Sequence, residues 1–223
     1  MKKIRNQRRP AAVCTAMKIL PALAVTVTFA LATATWAQEI AATPLDEAQK
    51  AAHKIAASLP AIADAPVAID ADLDKPHLVK GGGGGAMIIP DKKLTAETLA
   101  AAGETPVPVG QLWMLKATVA ENGRPVAEDK TRRVTVEDGD KEIRLQLFLL
   151  GAAKNARGTL DLVVFAKDKT PLLRLPLEKG TGTPPQLPAE LAGQKNDEAS
   201  ATLTLRLAGG YQARLLLMKP DGQ

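Results

Sequence analysis

The chain has 223 residues, with 29 Lys+Arg against 24 Asp+Glu and a single cysteine, Cys14. Six of the basic residues, no acid and that cysteine fall in the first 37 positions, so the remainder holds 23 basic and 24 acidic residues, a net charge of −1. This balance offers no basic face for nucleic acid, four aromatics (Trp113, Phe148, Phe165, Tyr211) are too scattered for base stacking, and a chain without paired cysteines is held by its core alone.

The N-terminus reads as a secretory signal. Lys2, Lys3, Arg5, Arg8 and Arg9 form a basic head, residues 19–34 an apolar middle, and Thr35-Trp36-Ala37 a small-residue exit. Cleavage is expected after Ala37. The apolar run is shorter than the roughly 20 residues of a spanning helix, and Pro21 interrupts its start, so no stable membrane span is expected once the signal is removed. Met17 opens a more compact signal of 21 residues with the same exit. Arg8-Arg9 lacks the apolar pair of a twin-arginine signal, and Cys14 precedes the apolar run, so it is no lipid-attachment cysteine.

Residues 38–60 predict an alanine-rich helix. Thr43 is placed to cap it, Pro44 suits its first position, and Asp46 and Glu47 favour the positive end of its dipole. Leu45, Ala48, Ala52, Ile55 and Leu59 share one face, whose small side chains pack weakly. Residues 61–85 read as a linker: Pro60, Pro66 and Pro76 break it, and Gly81 to Gly85 end it as a flexible joint.

A β domain is expected over 86–223. Residues 86–89 form a short strand stopped by Pro90, and residues 95–102 a short helix ended by Gly103. From Val109 the period is two: Trp113, Leu115, Ala117 and Val119 share an apolar face before an Asn122-Gly123 turn. A second hairpin runs from 132 to 149 around Asp138-Gly139, with Ile143, Leu145, Leu147 and Leu149 on one face of the return strand. Strands at 159–166 and 172–177 follow, then a Gly/Thr/Pro-rich loop at 180–199 and a hairpin of 202–207 with 211–218. About eight short strands joined by local turns predict a mainly β fold: an antiparallel β-sandwich, or a partly open barrel, with a short N-terminal helix on a flexible linker.

The chemistry is bounded mostly by exclusion. Beyond residue 37 there is no cysteine, and Ser58 and Ser200 sit in no nucleophile motif. His53 and His77 lie on the helix and in the linker and cannot alone supply a zinc site, so no catalytic or cofactor-binding residue is assigned. Asp70, Asp72 and Asp74 alternate as in the first half of a Ca²⁺ loop, but the sixth position is Lys75 and the twelfth Gly81. The expected protein is therefore an exported, non-enzymatic interaction or assembly module of the cell envelope, periplasmic or secreted, contacting another envelope or extracellular protein through the 180–199 loop or the tethered helix. The alternatives are a small-ligand or Ca²⁺-dependent binding protein and, less directly, a carboxylate-based hydrolase.

Overall fold

The computed structural model describes residues 39–60, 62 and 64–220. The expected signal at 1–37 lies outside the described residues. The chain begins with strand β1 (Glu39–Ala42) and helix α1 (Leu45–Ser58), then passes through an extended segment to β2 (His77–Gly81) and β3 (Gly84–Pro90). A five-residue helix, α2 (Ala96–Ala100), precedes β4 (Val107–Leu115). Its N-cap Thr95 exchanges hydrogen bonds with Thr98, closing a capping box.

Next come β5 (Thr118–Glu121), β6 (Arg124–Pro125), β7 (Arg132–Asp138), β8 (Lys141–Lys154), β9 (Leu160–Phe165) and β10 (Leu173–Pro176). The chain continues through β11 (Glu178–Lys179), β12 (Ala189–Lys195), β13 (Ser200–Leu207) and β14 (Tyr211–Met218). Among the described residues no helix is long and apolar enough to cross a membrane.

The structure is mainly β, but it is not two stacked sheets. Among the described residues fourteen strands form one curled antiparallel sheet, a half-barrel, in the order β10-β9-β8-β4-β3-β2-β1-β12-β13-β14-β5-β6, with β7 beside β8 and β11 beside β14. The sandwich and the count of eight strands give way for a definite reason. Residues 38–60 were expected to be helical throughout, yet 39–42 form β1, which pairs with β12 through Glu39 and Ile40 and with β2 through Ala41 and Ala42. This one short strand joins what would otherwise be two sheets. It fits because its neighbours lack side chains there: a Cβ on Gly193 would stand 2.8 Å from Ile40, and one on Gly81 3.1 Å. Thr43 caps nothing; its backbone N–H donates to the Leu78 carbonyl at 2.8 Å, and Pro44 precedes the helix without a side-chain cap.

The glycine run is likewise not a joint. Lys80 pairs with Gly85 and Gly81 with Gly84, leaving Gly82 and Gly83 as a two-residue turn with φ of +59° and +79°. Both central residues at positive φ define the tight hairpin turn that matches strand twist. The Asn122-Gly123 turn repeats this geometry, at +53° and +75°. Strand β12 likewise occupies part of the stretch read as a loop, leaving 180–188 and 196–199 irregular.

The sheet buries both faces. Inside the curl lies a cluster that includes Ile88, Leu112, Phe148, Leu162, Leu203 and Leu215. On the outer face Met87, Ile89, Trp113, Leu147, Leu149 and Phe165 form a second cluster, covered by Ala52 and Ile55 of α1 and by Val67. The strand expected to carry Trp113 through Val119 breaks at Lys116, whose φ is +54°. Trp113 therefore faces outward from the curl, while Val119, on β5, joins the inner cluster.

The hairpin geometry makes a direct prediction. Gly82→Asn, which tolerates positive φ, should leave stability within about 0.5 kcal/mol of the parent, whereas Gly82→Val should cost roughly 1–2 kcal/mol. Denaturant unfolding measures both, and equal values for the two variants would mean that no tight turn forms at this position.

Candidate functional site

The alanine-rich face of α1 docks on the outer face of the sheet. Ala48, Ala52 and Ile55 are buried there. Two exposed ion pairs flank the helix: Lys54 with Asp138 at the end of β7, and Lys80 on β2 with Glu47. The contact with Lys54 holds the Asp138 carboxyl below its usual range. The helix is thus seated on the domain rather than held away from it on a tether. The segment that follows also lies along the sheet, with Ile62, Ala65, Ile69 and Leu73 packed against the outer cluster.

Small side chains under a helix leave space. Between α1 and the sheet lies a groove of about 660 Å³. Ala51 and Ile55 form its roof; half-buried Leu78, Leu115 and Ile143 line its walls, and Met87, Trp113 and Leu145, buried in the outer cluster, lie at its floor. Lys54, Lys80 and Asp138 stand in its lining as the charged groups. A second cavity of about 480 Å³ lies under the following segment, lined by Leu59, Ile62, Val67, Ile69, Gln111 and Leu149. Strand alternation puts Gln111 and Trp113 on the same face of β4, so the two floors are two residues, about 7 Å, apart. Gln111 is buried, and its Oε1 accepts a hydrogen bond from Trp113 Nε1 at 3.1 Å, which fixes the indole in the floor.

The three aspartates weighed for Ca²⁺ do not converge. Asp70 pairs with Lys92 at 2.8 Å, and its backbone N–H donates to Asp91 Oδ2 at 2.8 Å. Asp72 is buried, accepts from the Asp74 backbone N–H at 3.2 Å and pairs with Lys75 at 3.1 Å. These contacts fasten the 70–75 turn to the end of β3, where Asp72 N donates to the Pro90 carbonyl and Lys92 N to that of Asp70. Among the described residues no group of three or more His, Cys, Asp or Glu side chains is placed to hold a metal ion.

The other buried carboxylates have structural partners as well. Asp91 accepts from the Lys93 N–H at 2.8 Å, and Asp161 from Asn155 Nδ2 at 3.0 Å. Glu190 accepts from the Gln186 and Leu187 N–H groups, at 2.6 and 3.1 Å, and from Arg206 at 2.5 Å.

His77 is not a linker residue. It opens β2 beyond the reach of β1, where β2 and β12 face each other without a strand between them. Its Nδ1 accepts a hydrogen bond from the Leu191 N–H of β12 at 3.2 Å, in place of the missing ladder. Nothing in the sequence marked this, because the role belongs to the gap left by a short strand. Burial pushes the imidazole below its ordinary value, the nearby Arg206 pushes the same way, and Glu190 partly opposes both.

Compared with protein-family models, with curated proteins and with solved structures, the chain matches none of them.

The folded state favours neutral His77, and only the neutral ring accepts at Nδ1. Its contribution is therefore complete above pH 6.5 and is lost as the pH falls below that value. Thermal unfolding between pH 7.5 and 5 should show this decline. His77→Asn, which places an amide oxygen near the Nδ1 position and does not titrate, should flatten it.

Proposed function

We propose that the protein is an exported, non-enzymatic binding protein of the periplasm or medium, and that it binds a small apolar ligand in the groove beneath α1. The carrying observation is the groove itself. Its size lies within the roughly 300–1,000 Å³ of small-molecule sites, and it combines an apolar floor with a few charged groups at its rim. A residue with a polar handle, Trp113, is held in that floor by Gln111 rather than free to fill the space. Aliphatic and aromatic side chains line the groove, and no nucleophile–base pair adjoins it among the residues that form its walls.

A protein partner is the second reading. Strand β7 hydrogen-bonds to β8 alone among the described strands, so a seven-residue edge remains for strand addition. The apolar surface favours the groove. Among the described residues the exposed large hydrophobics are Leu45 and Leu216, well apart in sequence.

The test uses Trp113, the sole tryptophan beyond residue 36. An apolar fluorophore such as N-phenylnaphthylamine should bind the protein lacking residues 1–37 with a saturable change in Trp113 emission. Ala51→Phe should fill the roof and weaken that binding at least about tenfold, with unfolding little changed. Unaltered binding by this variant would place the site elsewhere.

A further inference from the structure

The charged residues of the groove carry the assignment one step further. Its lining holds two lysines, Lys54 and Lys80, against one acid, Asp138. Their ion pairs with Asp138 and Glu47 are on the surface, with the lysine side chains 43% and 53% exposed. Pairs of this kind are worth about 0–1 kcal/mol each, so a ligand anion replaces either acid at little cost. Deeper in, the walls are apolar: Met87, Trp113, Leu115 and Leu145 below, Ala51 and Ile55 above.

A second cavity of about 480 Å³, lined by other residues, lies along the same face of β4 under the 59–73 segment, beyond the buried Gln111. The groove beneath α1 is lined by aliphatic side chains around a single aromatic, Trp113, which suits a flexible apolar chain.

We infer that the ligand is a monomeric long-chain carboxylate, its aliphatic chain lying beneath α1 along β4 and its carboxylate at the rim beside Lys54 and Lys80. This rests on the groove being the binding site. Apolar walls bury the chain, while the lysines supply charge-assisted hydrogen bonds to the head. Lysine's flexible stem follows a headgroup without a fixed fork geometry, which suits an anion at an open rim.

Titration of the protein lacking residues 1–37 with dodecanoate and with dodecanol, read by Trp113 emission and by calorimetry, separates the two levels of the proposal. Dodecanoate is expected to bind about tenfold tighter than dodecanol, and raised salt should narrow the gap. Lys54→Met together with Lys80→Met should remove the preference while leaving dodecanol binding and the unfolding transition in place. Equal affinities for the two ligands, unaffected by the lysine variant, would overturn the carboxylate and leave the groove. Failure of both ligands to bind would overturn the groove reading as well. Binding to anionic phospholipid vesicles without binding of monomeric dodecanoate would also overturn the proposal, since it would make the lysines a membrane-facing patch.

Discussion

Strand β8 is buried at every position from Leu145 to Ala153 except Gln146, on both of its faces. Alternate side chains of a strand point to opposite sides of the sheet, so this strand requires two apolar coverings. The sheet supplies the first by curling, which brings Leu162 of β9 and Leu215 of β14 into one cluster. It cannot supply the second. The outer face, with Trp113 and Phe165 at its centre, must be covered by something that is not sheet, and α1 with the segment after it performs that role. Strand β1 delivers α1 to this face. Its two-sided pairing, with Ile40 set over Gly81 and Gly193, fixes where the helix begins.

The covering is imperfect, and the imperfection is the candidate site. A leucine-rich helix would have filled the interface. One presenting Ala48, Ala51 and Ala52 leaves a groove lined by Met87, Trp113 and Leu145. Close packing is the rule in protein interiors, and a groove of about 660 Å³ between helix and sheet leaves room of the size small-molecule sites have. The proposed function follows from this mismatch in side-chain size, and the proposed ligand from the two lysines at its rim.

Much of the architecture was legible in local pattern. The β7–β8 hairpin declared itself by alternation through Ile143, Leu145, Leu147 and Leu149, and the Asn122-Gly123 turn by its residues; the turn expected at Asp138-Gly139 falls one residue later, on Gly139 and Asp140, because Asp138 ends β7 opposite Lys141. The weak packing of the alanine face was also legible, though not what lay under it. The misreadings share a cause. Residues 81–85 and 189–195 are rich in small residues, and glycine serves flexible chain and close backbone approach alike. A Cβ on Gly84 would stand 2.7 Å from the Leu115 carbonyl, a neighbour 31 positions away. His77 and the pair Glu190–Arg206 likewise acquire their roles only across strands distant in sequence. Asp70, Asp72 and Asp74 alternate in sequence, but their contacts with Lys92, the Asp74 N–H and Lys75 depend on how the 70–75 turn meets the end of β3.

The central claim is that α1 is a fixed cover on the outer face and not a tethered arm. Hydrogen–deuterium exchange of residues 45–58 in the ligand-free protein tests it most directly. Docking predicts amides in this helix protected well beyond the rates of an isolated 14-residue helix, which is marginal in water, with protection extending into the segment at 66–73. Exchange of 45–58 at free-peptide rates, with β8 fully protected, would contradict the account, since the groove would then have no roof.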